Sequence, residues 1–114
     1  MGNLADFAAC PAAYGRCMHT YVILRRHGWA TPEDLSEAAA RSTAEGDQMP
    51  DDIRWIRSYV LGERDGAVGT VCIYQASNPE AIREHARRAD LPADEIIPVA
   101  DTVLVRPDPA PVTS

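Results

Sequence analysis

The sequence predicts an α+β fold with the element order βαββαβ, and three observations support it. Residues 53–61 and 68–75 both alternate in the manner of β-strands. The pair Asp65-Gly66 between them is typical of a hairpin turn. A helical pattern from residue 79 follows the second of these strands at once. Strand, turn, strand and helix in this order are the middle of a βαββαβ domain.

The first strand and the first helix precede this central stretch. We predict a strand over residues 19–25, where β-branched and aromatic side chains are concentrated. We expect a helix to begin after Thr31, because a threonine can cap the first turn and Pro32 suits the first helical position. The helix should end near Gly46.

The central hairpin carries an unusual set of side chains. Strict alternation places Trp55, Arg57 and Tyr59 on one face of the second strand. Cys72 and Tyr74 occupy the corresponding face of the third strand, and both opposite faces are mostly aliphatic. We expect the aliphatic faces to pack beneath the helices. The face with the large, polar-tipped residues should then line a cavity or an interface.

The second helix and the last strand complete the domain. Ser77 and Glu80 have the spacing of a capping box, and the helix is predicted over residues 79–89. The last strand is predicted over residues 96–105. Residues 107–114 contain three prolines and are expected to be extended or disordered.

The length of 114 residues allows one domain, which we place at residues 18–106. Residues 1–17 are interpreted as a variable N-terminal leader. They lack the basic and apolar regions of a signal peptide, and no apolar run reaches the ~20 residues of a membrane span. These features predict a cytoplasmic protein without a membrane partner. The net charge of −6, with no basic block, argues against a nucleic-acid partner.

The three cysteines do not have the spacing of a zinc site. In a reducing cytoplasm, we expect Cys10, Cys17 and Cys72 to be free thiols rather than to form a disulfide.

Four segments of residues 18–106 are similar to those of a known family. They are Tyr21-Val22-Ile23, residues 53–60, Cys72-Ile73-Tyr74, and Ile82-Arg83-Glu84-His85-Ala86-Arg87-Arg88 followed by Leu91-Pro92-Ala93-Asp94. They resemble the small nickel-binding-protein family, which is common in actinobacteria. The resemblance implies a ferredoxin-like βαββαβ fold, with an antiparallel four-stranded sheet and two helices on one face. It also implies a homodimer that forms a dimeric α+β barrel, and nickel as the bound metal; no organic cofactor is implied.

The sequence departs from this family in its second strand, which typically contains Trp-Val-His-Ser-Tyr. Arg57 stands at the position of the histidine. A guanidinium stays protonated and does not bind a metal. If the family histidine is a ligand, this chain has lost it.

His85 and Cys72 are the candidate metal ligands. A neutral imidazole suits nickel, and a thiolate can bind a soft metal. The alternative for His85 is a helix histidine hydrogen-bonded at the edge of the core. The alternative for Cys72 is a small buried apolar residue.

A second hypothesis is a pocket for a small aromatic or anionic metabolite, formed by Trp55, Arg57, Tyr59 and Tyr74. Arginine pairs with carboxylate or phosphate, and aromatic rings stack on a planar ligand. The alternative is that Arg57 pairs with an acidic residue across a dimer interface.

Three functions therefore remain open. The first is a small nickel-binding protein, and the second is a binding module for the aromatic or anionic metabolite. The third is a monooxygenase- or cyclase-like enzyme in the same cavity, which rests on analogy between folds. The sequence contains no glycine-rich phosphate loop and no Ser-His-Asp spacing.

Overall fold

A computed structural model describes residues 17–111 and gives six elements within them. The four strands form one antiparallel sheet in the order β2-β3-β1-β4. This topology confirms the predicted ferredoxin-like α+β fold. The leader prediction falls almost wholly outside the described residues. The elements are β1 (His19–Trp29), α1 (Pro32–Gly46), β2 (Ile53–Gly62), β3 (Val68–Ala76), α2 (Pro79–Ala89) and β4 (Glu95–Pro98).

Both helices pack on the same face of the sheet and bury the core between the two layers. Thr31 caps α1 as predicted, since its Oγ1 accepts a hydrogen bond from the Asp34 N–H at 3.1 Å. The buried residues of α2, namely Ile82, His85, Ala86 and Ala89, recur at helical spacing. The core consists mainly of apolar and aromatic side chains, namely Tyr21, Ile23, Ile53, Cys72, Tyr74, Ala76 and Ile82.

The cap of α2 differs from the prediction. Asn78, and not Ser77, caps the helix, because Asn78 Oδ1 accepts from the Ala81 N–H at 2.8 Å. The Ser77 hydroxyl instead donates to Asp52 Oδ1 at 2.8 Å. The side chain of Ser77 therefore fastens the start of β2 to the end of β3.

A β-bulge in β2 changes which side chains share a face. Trp55 pairs with Tyr74 and Arg57 pairs with Ile73, so Ile56 is the extra residue. A bulge shifts the alternation by one position. Trp55 thus lies on the helix-covered face with Tyr74, whereas Arg57 and Tyr59 lie on the open face. The prediction that Trp55, Arg57 and Tyr59 share one face is therefore wrong.

The last strand is shorter than predicted, since β4 ends at Pro98 rather than near residue 105. The Val99 N–H still donates to Thr20 O at 2.9 Å. Because β1 begins at His19, the chain beyond Val99 has no neighbouring strand among residues 17–111 with which to pair. Residues 99–111 contain neither helix nor strand.

The connection between β2 and β3 is fastened to an irregular part of β1. The Glu63 carboxylate accepts from Arg26 Nη2 at 2.7 Å and Nε at 2.9 Å, and from the His27 N–H at 3.0 Å. These hydrogen bonds lower the pKa of Glu63 to about 2. His27 has a positive φ of 51°, where the register of β1 shifts.

Cys72 is a buried free thiol, as predicted. Cys17 is disulfide-bonded, so the prediction of a free thiol is wrong for this residue. Within residues 17–111, neither helix has the length and hydrophobicity that crossing a membrane requires.

Candidate functional site

A group of polar side chains is buried between the sheet and the two helices. Arg25, Ser42, Thr70 and His85 are all 3% exposed or less. Arg25 and Thr70 come from the central strands, and Ser42 and His85 come from the facing helices. Buried polar groups are costly unless they are hydrogen-bonded. Any member of this group without a partner is therefore a candidate for ligand binding.

His85 is almost fully buried, and one of its ring nitrogens is unpartnered in the part of the chain that the structure describes. Its Nε2 lies 2.9 Å from the carbonyl oxygen of Ser42. Since a carbonyl can only accept, Nε2 carries the proton and Nδ1 carries the lone pair. Nδ1 has no hydrogen-bond partner among the described residues. Burial lowers the pKa of His85, which keeps the imidazole neutral at pH 7.

Tyr74 connects His85 to the rest of the buried group. The Tyr74 and Ser42 hydroxyls lie 3.2 Å apart. The Tyr74 ring lies 5.7 Å from the His85 ring and is stacked on Trp55 at 6.1 Å. Burial raises the pKa of Tyr74, so the phenol stays neutral. Tyr74 therefore provides an aromatic surface and a hydroxyl, but no charge.

Cys72 is in contact with a cation. Arg25 Nη1 donates to Cys72 Sγ at 3.2 Å, and the thiol lies 3.4 Å from Thr70 Oγ1. A guanidinium at this distance repels a second cation. The position of Cys72 thus disfavours its role as a metal ligand.

Two clefts open onto this buried group. The first has a volume of about 260 Å³, lies beside α1 and is lined by Arg25, Cys72 and Tyr74. The second has a volume of about 440 Å³ and is lined by His85 and Asp47. Hence the two predicted metal ligands, His85 and Cys72, line different clefts.

The four residues predicted to bind an organic ligand separate into two pairs. Trp55 and Tyr74 stack on each other on the helix-covered face. Arg57 and Tyr59 lie on the open face, where both contact Asp108 of the C-terminal segment. The Tyr59 hydroxyl donates to Asp108 Oδ2 at 2.6 Å. The bulge at Ile56 therefore excludes a single pocket formed by all four.

The sequence interpretation did not identify Arg25 or Asp47 as residues of the site, and it did not identify Ser42 as a hydrogen-bond partner. Arg25 had a usable signal, because it alternates with Tyr21 and Ile23 on the buried face of β1. Ser42 and Asp47 had no sequence signal of comparable strength, since their roles depend on how α1 packs against α2.

The described residues provide isolated metal donors and not a complete set of ligands for one ion. Within residues 17–111, no group of three His, Cys, Asp or Glu side chains lies close enough to hold one ion. His85 Nδ1 still fits a metal, because it is a neutral, unpartnered donor. Cys72 does not fit.

Residues 21–99, well over half of the chain, match the family model described as nickel-responsive protein, SCO4226-like. The chain belongs to this family. The crystal structure of SCO4226 from Streptomyces coelicolor A3(2) is similar, with a TM-score of 0.56 and 20% sequence identity. The match covers 74% of this chain and 99% of that chain, and it shows a shared fold. No curated protein matches the chain. Membership confirms the resemblance found in the sequence and relates this small SCO4226-like protein to nickel.

Proposed function

We propose that this SCO4226-like protein binds Ni²⁺ and that His85 supplies the imidazole donor. The unpartnered Nδ1 of this buried histidine carries the proposal. Nickel is bound well by imidazole nitrogen. A histidine that binds a metal commonly donates its other ring N–H to a carbonyl or a carboxylate, which orients the ring. The bond from His85 Nε2 to the Ser42 carbonyl has this form.

The charge state of His85 supports the same role. Burial lowers the pKa of the imidazole, so protons compete little for Nδ1 at neutral pH. Asp47 lines the same cleft and can supply a carboxylate oxygen. The remaining coordination positions need donors in addition to these two residues.

We also propose that the protein forms a homodimer through the open face of its sheet. Tyr59 and Ile97 on this face are 45% and 41% exposed. Three consecutive apolar residues of the C-terminal segment, Val103, Leu104 and Val105, are at least 73% exposed. Apolar surface of this kind is typical of an interface.

Calorimetric titration of metal-free protein with NiCl₂ tests the nickel proposal. We expect the variant His85→Gln to lower the affinity for Ni²⁺ by about tenfold or more, because it removes the donor nitrogen. Glutamine keeps an N–H that can donate to the Ser42 carbonyl. Asp47→Asn should cause a smaller loss.

The matched controls are His27→Gln and Asp51→Asn, which change an exposed histidine and an exposed carboxylate of the described chain. Both should leave the affinity unchanged. An unchanged affinity in His85→Gln, or an equal loss in His27→Gln, would contradict the assignment of His85. Circular dichroism of each variant checks that the fold is retained.

A further inference from the structure

The guanidinium of Arg25 is buried without a negatively charged partner among the described residues. Arg25 is 1% exposed and is among the most deeply buried large side chains of residues 17–111. None of the ion pairs among these residues includes it. An isolated buried charge is costly, and burial is normally accompanied by pairing with an opposite charge.

The groups that do contact Arg25 are neutral. Its Nε donates to the carbonyl oxygen of Pro92, and its Nη1 donates to Cys72 Sγ. The guanidinium carbon lies 6.0 Å from the centre of the Tyr74 ring. Within residues 17–111, Nη2 has no hydrogen-bond partner. These contacts hold the side chain in place but leave one positive charge and the N–H groups of Nη2 unsatisfied.

Arg25 lines the cleft of about 260 Å³ beside α1. The volume lies just below the roughly 300–1,000 Å³ that is typical of small-molecule sites, which suits a ligand smaller than a nucleotide. Cys72, which accepts a hydrogen bond from the guanidinium, and Thr70 also line the cleft. Most of the other lining residues are apolar, namely Trp29, Leu35, Trp55, Val60 and Leu91. They include both tryptophans of the chain.

We infer that this cleft binds a small monocarboxylate with an apolar or aromatic body, whose carboxylate pairs with Arg25 Nη2. A carboxylate matches the planar guanidinium and neutralises a single charge. A phosphate dianion fits less well, because no second cation among the described residues lines the cleft. The tryptophan and aliphatic walls suit the body of the acid. This inference does not depend on nickel binding.

Tryptophan fluorescence tests the inference directly, since both tryptophans line the cleft. Metal-free protein in EDTA is titrated with benzoate and with hexanoate as probes, and with benzamide as the uncharged control. We expect benzoate or hexanoate to change the emission saturably and to raise the melting temperature with concentration. Benzamide should bind at least about tenfold more weakly, because it lacks the charge that pairs with Arg25.

Two variants locate the site. Arg25→Met removes the charge while keeping an apolar side chain of similar length, and Ala39→Leu fills the cleft from α1 while keeping Arg25. Both should weaken binding by at least about tenfold. The control is Arg57→Met, which removes an arginine from the open face and should bind as the native protein does.

Three results would overturn the inference. The first is equal binding of benzoate and benzamide. The second is binding that survives both Arg25→Met and Ala39→Leu. The third is the absence of any saturable response to benzoate and to hexanoate in the native protein.

Discussion

At the scale of single residues, two buried side chains near Tyr74 offer opposite chemistry. His85 is neutral and presents a lone pair at Nδ1, which suits a cation. Arg25 carries a positive charge and presents N–H groups at Nη2, which suit an anion. The Tyr74 ring lies about 6 Å from both groups. The core therefore holds two separate candidate sites rather than one.

The lowered pKa of His85 predicts how stability depends on pH. The unfolded chain takes up a proton at this histidine near pH 6.5, whereas burial makes the folded protein resist it. The unfolded state thus binds more protons in this range, and the free energy of unfolding falls as pH drops below about 6.5. One proton accounts for at most about 1.4 kcal/mol per pH unit. Urea denaturation between about pH 7.5 and 5 measures this slope.

His85→Gln should flatten the slope over this range, because it removes the group whose pKa is lowered by burial. The hydrogen-bonded carboxylates Glu63 and Glu84 have pKa values of about 2, so their stabilising effect is lost only as pH falls below about 4.5. A slope that persists in His85→Gln would assign the proton uptake to another group.

At the scale of elements, the hairpin of β2 and β3 is positioned by side chains of β1. Glu63 fastens the connection to Arg26 and to the His27 backbone. Gly69 of β3 lies against the same part of β1. A Cβ at Gly69 would come within 2.5 Å of the Arg25 carbonyl oxygen and 2.6 Å of Glu63 Oε2. The absence of a side chain here lets the strands approach where Arg25 enters the core.

Gly69→Ala should therefore destabilise the protein. We expect a loss of about 1–3 kcal/mol in the free energy of unfolding, the range typical of overpacking. Gly62→Ala is the matched control in the same hairpin, because a Cβ there meets nothing within 4 Å. Thermal unfolding of both variants measures the difference in their stability. Equal melting temperatures would contradict the close approach at Gly69.

The elements were more predictable from the sequence than the faces of the strands. The spacing of Ile82, Ala86 and Ala89 predicts the buried side of α2, because the helical period is set locally. The bulge at Ile56 has no comparable local signal, since it depends on the pairing of β2 with β3. It separates Arg57 from Trp55, and so the predicted organic-ligand pocket does not form. Similarly, β4 ends where its neighbour β1 begins, which the sequence of β4 alone does not reveal.

At the scale of the whole molecule, one face of the sheet is covered by helices and the other is open. The C-terminal segment leaves β4 at one edge, and its Asp108 contacts Arg57 and Tyr59 of β2 at the other edge. The C-terminal segment thus extends from one edge strand to the other, and its own apolar side chains remain exposed. This arrangement is the basis of the proposed homodimer.

Light scattering after size-exclusion chromatography tests the homodimer. The native protein should have twice the chain mass of 12.4 kDa. Ile97→Asp places a charge on the open face and should give the mass of a single chain, because an unpaired charge is costly in an apolar interface. The control Ala44→Asp changes an exposed position of α1 and should remain a dimer. A native mass of 12.4 kDa at all concentrations would refute the proposal.

The central claim is that His85 Nδ1 is a nickel donor, and ¹H–¹⁵N correlation spectra of the histidine side chains test it most directly. The metal-free protein should show His85 neutral and protonated at Nε2 at about pH 7.5, as its buried bond to the Ser42 carbonyl requires. Substoichiometric Ni²⁺ is paramagnetic and should broaden the His85 signals before those of His19 and His27. Broadening of His19 or His27 with His85 unaffected would contradict the claim.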